Sequence, residues 1–272
     1  MYIKQKISIF LIIFFLILSI NNIFSLRVFA QENDSPKTVP RVVLVELFVQ
    51  EDCSSCPTTE FCLEDLAWEY DTSKFILVQE HLWGDGYDTP ETNARYDWYV
   101  GDGKRGTPDV FIDGLTKRLQ GLSCDCVEGN YECYKDAIDE ELTRPSLLEL
   151  SAVKTPHPNP LPQGEREEEK VVNIIIEGTV KNTSDAPLKD LAVCEMVGKE
   201  RNEPGLYFYI QDIFPFQNMP PLLPGATYNF KFIPKISLIP KSEIDDEKEV
   251  LHLVIFVQNT MTKEILQALY IE

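Results

Sequence analysis

The chain is short of positive charge relative to negative, and short of histidine. Lys and Arg number 25 against 44 Asp and Glu, a formal charge of −19 spread along the sequence. Such a chain repels polyanions, so no nucleic acid or anionic membrane surface is expected as a partner. The 3 histidines, His81, His157 and His252, are too dispersed to build a metal cluster. His81 ends a strand and reads as a hydrogen-bonded structural residue that could also modulate a nearby dithiol. His157 falls in a proline-rich tract, and His252 alternates with Leu251 and Leu253, which predicts a solvent-facing side chain. Phosphate loops, dinucleotide fingerprints, Ser/His/Asp hydrolase patterns and long internal repeats are also missing.

Long apolar runs are confined to the N-terminus. Lys4 and Lys6 precede Ile7 to Ile20, which is interrupted only by Ser8 and Ser19, and Val28-Phe29-Ala30 follows. An apolar core of about 14 residues is short for a bilayer span, which needs about 20. This is the layout of a secretory signal over residues 1–30, with an uncleaved anchor as the alternative. The rest is expected in the periplasm or outside the cell, touching a membrane only through that segment if it is retained.

An exported chain can hold disulfides. Its 7 cysteines stand at 53, 56, 62, 124, 126, 133 and 194, an odd number, so one thiol is free or pairs between chains. Cys53 and Cys56, in C-S-S-C, could be a working dithiol, an inert staple or a metal clip. Zinc would need two more ligands. Two of Cys124, Cys126 and Cys133 are expected to form one surface disulfide, with a second relay or a metal clip as the sharper reading. Cys62, on a helix, reads as a core residue outside the chemistry, and Cys194, within L-A-V-C, as a buried free thiol.

Residues 31–40 are polar and proline-flanked, a tether. Val42 to Val49 is a nearly continuous β-branched apolar run, the pattern of a strand covered on both faces. Phe61, Leu63, Leu66, Ala67 and Tyr70 then recur at helical spacing. Phe75 to Val78 is a second buried strand, Glu91 to Val100 a helix, Asp109 to Ile112 a strand, Asp113-Gly114 a two-residue hairpin turn, and Tyr131 to Leu142 a closing helix.

From Pro145 the pattern changes. Strands are predicted at Leu147–Val153, Val171–Val180, Leu191–Val197, Tyr207–Phe214, Thr227–Ile233, Val250–Gln258 and Ile265–Ile271. About seven strands without a helix predict an immunoglobulin-like β-sandwich over residues 145–272. The proline- and charge-rich tract at about 155–170 reads as a disordered insertion in a hairpin loop.

The strand Val42–Val49, the C-S-S-C-P opening a helix, and Gly106-Thr107-Pro108 before a strand ending in Asp113-Gly114 resemble the thioredoxin superfamily over residues 41–144. The expected fold class is thus an α/β thioredoxin-like domain followed by an all-β sandwich. The resemblance implies a nucleophilic Cys53 at a helix N-terminus, where unpaired N–H groups favour a thiolate, and a shielded resolving Cys56. It further implies a cis Pro108, a Thr107 backbone that pairs with substrate, and Glu46 as a candidate proton acceptor for Cys56. Glu51 and Asp52 depart from the family pattern. Their charge opposes a Cys53 thiolate and predicts a reducing poise.

The function expected is thiol–disulfide exchange with protein thiols or disulfides and an electron partner, using no cofactor beyond the Cys53–Cys56 pair. The alternative is a non-enzymatic cell-envelope binding or scaffold protein with structural disulfides.

Overall fold

The computed structural model describes residues 39–121, 123–124, 131–156, 170–200, 208–238 and 251–271. The signal at 1–30, the tether as far as residue 38, and 157–169 of the expected insertion lie outside them. The chain order is β1 (Val43–Val49), α1 (Cys56–Glu69), β2 (Phe75–His81), α2 (Pro90–Val100), β3 (Asp109–Ile112), β4 (Lys117–Gln120) and α3 (Glu132–Leu142). There follow β5 (Leu148–Pro156), β6 (Lys170–Asn182), β7 (Leu191–Glu200), β8 (Phe208–Asn218), β9 (Thr227–Phe232), β10 (Lys235–Leu238), β11 (Leu251–Asn259) and β12 (Ile265–Ile271).

Most of these elements fall within a residue or two of the periodicity reading. Their assembly does not follow it. The expected α/β thioredoxin-like domain beside an immunoglobulin-like sandwich is replaced by a predominantly β architecture. One eight-stranded mixed sheet runs β12-β11-β7-β8-β2-β1-β3-β4, so strands from both halves of the chain share it. The join is β2 with β8, parallel, at Val78↔Phe208 and Gln79↔Tyr209. A second sheet holds β10-β6-β5, with β9 also pairing to β6. The physical reason is legible in β11, whose Leu251–Asn259 is buried almost throughout. A strand covered on both faces has no alternation to say which sheet it joins.

The buried side chains show how the layers meet. Val43, Val45, Leu47 and Val49 of β1 pack with Phe75 and Leu77 of β2 beneath α1 and α3. Because successive side chains alternate across a strand, Leu44 instead meets Ile76, Val78, Cys194, Val254, Phe256, Ile265 and Ala268. The edge strand β12 therefore curls back against β1. Gln267 ties the closure: its Oε1 accepts from Val42 N at 2.8 Å and its Nε2 donates to Pro40 O at 2.9 Å. Arg41 adds bonds to Asp113 Oδ2 (2.6 Å) and Ile265 O (3.2 Å). The opposite faces of β7 and β11 pack on the second sheet, with Val193, Val197, Leu253 and Ile255 against Leu148, Ile174, Ile176 and Val180.

Three local expectations are also corrected. The turn after β3 is not a two-residue hairpin, because Ile112 pairs with Lys117 and leaves a four-residue connection. Asp113 and Gly114 both take positive φ within it, and Gly114 bridges to Glu264. His252 does not face solvent: it is 7% exposed and its Nδ1 lies 2.5 Å from the Tyr270 hydroxyl. Thr155, Pro156 and Lys170, assigned to a disordered tract, belong to the β5–β6 hairpin, where Pro156 pairs with Ile174.

Candidate functional site

The chain leaves β1 at Val49 and turns tightly, with Cys53 N donating to Gln50 O at 3.0 Å. Helix α1 starts at Cys56, and Pro57 occupies its first turn, where a missing N–H costs no hydrogen bond. Cys53 and Cys56 form a disulfide with Cα atoms 5.4 Å apart. The two sulfurs are not equivalent. Cys56 is buried in the core under β1, Cys53 is half-buried, and the Cys56 amide points at Cys53 Sγ from 3.1 Å. Glu51 and Asp52 are exposed, so solvent screens the opposition they offer to charge on Cys53.

Other predicted residues gather at the same end of the sheet. The β1–β2 register sets His81 beside Val49. His81 Nδ1 lies 2.7 Å from Asp85 Oδ2, and the same oxygen accepts from Glu51 N at 3.2 Å. Asp85 is positioned by the W-G-D-G-Y loop, in which Trp83, Gly84 and Gly86 have positive φ. The Thr107–Pro108 peptide is cis. Since Phe48 pairs with Asp109, Pro108 stands level with the β1 exit.

Glu46 is not brought to this site. Val45 and Leu47, its neighbours, share the core of Cys56, so Glu46 points through the opposite face. There it is fully buried and accepts from Arg95 Nε and from Tyr99 OH, the latter at 2.6 Å. Gln258 Nε2 donates to the same hydroxyl at 2.8 Å, and Arg95 Nη1 reaches Gln258 Oε1 at 3.3 Å. Glu80 completes the cluster with Arg95 Nε 3.9 Å away and no hydrogen bond to either carboxylate oxygen. Burial first, and the Glu46 charge second, push its carboxyl well above the ordinary range. Burial likewise raises the Tyr99 hydroxyl. Arg95, Tyr99, Glu80 and Gln258 were missed from sequence. The available signal was a lone carboxylate, Glu46, inside the otherwise apolar β1, and a second, Glu80, in the polar end of the fully buried β2.

The remaining cysteines act as staples or sit idle. Cys124 and Cys133 are bonded, fixing the loop before α3. Cys126 lies outside the described residues. Cys62 is buried in the core on α1, as expected, and is disulfide-bonded. Cys194 is free and buried, and burial pushes its thiol up to about 12. Among the described residues no group of His, Cys, Asp and Glu is placed to hold a metal ion. No described helix is long and apolar enough to cross a membrane.

No protein-family model matches the chain, and no curated protein does. Among solved structures the chain is similar to HBP35 of Porphyromonas gingivalis, with a TM-score of 0.59 and 17% identity over 86% of this chain and 76% of that one. This likeness is one of fold, and its span of both halves agrees with the continuous sheet. A domain of the outer membrane lipoprotein Omp28 from the same organism gives 0.29 at 12% identity, covering 47% of this chain and 88% of that one. Bacteroides uniformis beta-glucuronidase gives 0.29 at 17% identity, and only 12% of its length is covered.

Proposed function

We propose that this chain is an exported envelope protein that binds or scaffolds and does not catalyse. The observation that carries the reading is the sheet itself. Its cysteine-bearing half and its β-rich half share eight strands and are closed by Gln267 and Arg41. Disulfides at Cys53–Cys56 and Cys124–Cys133 then act as structural staples. Two disulfides fit an oxidising compartment, and the likeness of fold to HBP35 across most of both chains is consistent with this reading.

The test is insulin-disulfide reduction by the wild type and by Cys53→Ser, with cell fractionation alongside. The scaffold reading expects no turnover above the chemical reductant in either protein, and recovery outside the cytoplasm. Wild-type turnover that disappears in Cys53→Ser would overturn it.

That outcome would instead favour a second reading, exchange through Cys53 as nucleophile and Cys56 as resolving thiol beside Thr107 and Pro108. One observation supports it: Cys53 is partly exposed and has the Cys56 amide aimed at its sulfur. A helix-end N–H so placed favours a thiolate. Glu46 has no part in this reading, because it lies across the sheet.

A further inference from the structure

Helix α1 has two apolar sides, and the fold uses one of them. Cys56, Thr59, Cys62, Leu63, Leu66 and Ala67 are buried and supply its packing. On the outward side stand two large aromatic side chains, Phe61 at 51% exposed and Trp68 at 62%. Both are poorer helix formers than the Lys, Glu or Gln that ordinarily fill solvent positions of a helix. A single apolar ring in water is commonplace, whereas two aligned on one helix make a patch that marks an interaction site.

The alignment follows from helix geometry. Residues seven apart lie about 10.5 Å apart along the axis and are offset by only about 20° around it. Phe61 and Trp68 therefore share one ridge, and Glu64 and Asp65 stand between them, one turn from each. The 14 residues of α1 hold four carboxylates, Glu60, Glu64, Asp65 and Glu69, and neither Lys nor Arg. Lys135 of α3 meets Glu69 at 2.5 Å on the last turn, which leaves the middle of the ridge acidic.

We infer that this face of α1 docks a basic amphipathic helix of a partner polypeptide, with apolar residues on Phe61 and Trp68 and Lys or Arg beside the carboxylates between them. Helices pack by setting the ridges of one into the grooves of the other. Aromatic rings desolvated at the centre of such a contact carry much of its binding energy. Charge selects the occupant. A second copy of the chain, docked face to face, would bring Glu64 and Asp65 against the same two carboxylates. An anionic lipid surface is repelled by α1 and by the −19 of the whole chain. A basic helix satisfies the rings and the carboxylates together. The inference rests on the binding reading above, names the kind of partner, and uses no thiol chemistry.

The test titrates the full chain with an amphipathic helical peptide of leucine and lysine and with its leucine–glutamate counterpart. Calorimetry and tryptophan emission follow the binding. The lysine peptide is expected to bind saturably, one to one, with a blue shift in emission that Trp68→Phe removes. The glutamate peptide should bind at least roughly tenfold more weakly. Phe61→Ser combined with Trp68→Ser should weaken the lysine peptide roughly tenfold without moving the melting temperature, because both side chains are exposed. Phe216→Ser, at an exposed aromatic on β8, should leave binding unchanged. Asp65→Lys keeps both rings, should narrow the preference between the peptides severalfold, and serves if the double variant fails to fold. Equal affinity of wild type and double variant would mean general attraction to an acidic chain and would overturn the inference. So would absence of saturable binding, a wild-type dimer that the double variant dissolves, or binding to phosphatidylcholine vesicles that the double variant loses. Insulin turnover judges the scaffold reading separately.

Discussion

Tyr99 donates its hydroxyl hydrogen to Glu46 Oε2 at 2.6 Å and accepts from Gln258 Nε2 at 2.8 Å. One oxygen therefore links α2 to strands β1 and β11, 159 residues apart from Tyr99 to Gln258. Removing it in Tyr99→Phe should cost about 1–3 kcal/mol in urea unfolding, because Glu46 and Gln258 lose a buried partner. Arg95→Met should cost more, about 3–5 kcal/mol, since it leaves an uncompensated carboxylate in the core. Equal stability of Arg95→Met and wild type would remove the cluster as the clamp on α2.

Glu195 is 0% exposed, with no hydrogen bond to either carboxylate oxygen, on the strand face that packs toward the second sheet. Burial pushes its carboxyl from 4.5 to about 8. Below pH about 4.5 the group is protonated in folded and unfolded chains alike, so its stabilising share is intact. Between 4.5 and about 8 only the unfolded chain releases the proton, and stability falls until the folded group ionises too. Glu195→Gln should flatten that slope and be more stable than wild type at pH 9. Parallel pH profiles from denaturant midpoints decide the matter.

The Cys124–Cys133 bond spans 9 positions. Replacing both with serine should lower stability by about 2–3 kcal/mol, the loop entropy returned to the unfolded chain. Calorimetric melting with and without the bond gives the figure. An unchanged melting temperature would mean that the loop before α3 needs no staple.

Gly114 has φ +69, and a Cβ there would come within 2.0 Å of the Lys263 carbonyl oxygen. That oxygen is backbone and cannot rotate aside. Gly114→Ala should cost more than the roughly 1 kcal/mol of a left-handed alanine, by prying the β12 side from the β3 turn. Faster hydrogen exchange at Ile265 N, which donates to Asp113 O at 3.0 Å, would report the opening directly.

Local chemistry in the sequence determined the elements. Apolar runs, Val43–Val49 broken only by Glu46, and Phe75–Val78, made β1 and β2 buried strands, helical spacing of Leu63, Leu66 and Ala67 made α1, and Pro57 fixed where that helix begins. It also placed Cys53 and Cys56 within bonding range, since residues three apart at a helix start lie about one turn from each other, here 5.4 Å between Cα atoms, while the three fates of such a pair stayed open. Assembly was left to tertiary structure. Strands apolar on both faces, such as β7 and β11, carry no mark of which sheet they enter, so their pairing through β8 to β2 could not be read. Alternation decided the fate of Glu46: its position is one residue out of phase with the face that covers Cys56, and only the core on each side reveals which phase applies. The unpartnered carboxylate of Glu195 belongs wholly to the folded state, since an atom lacks a partner only once its surroundings have closed over it.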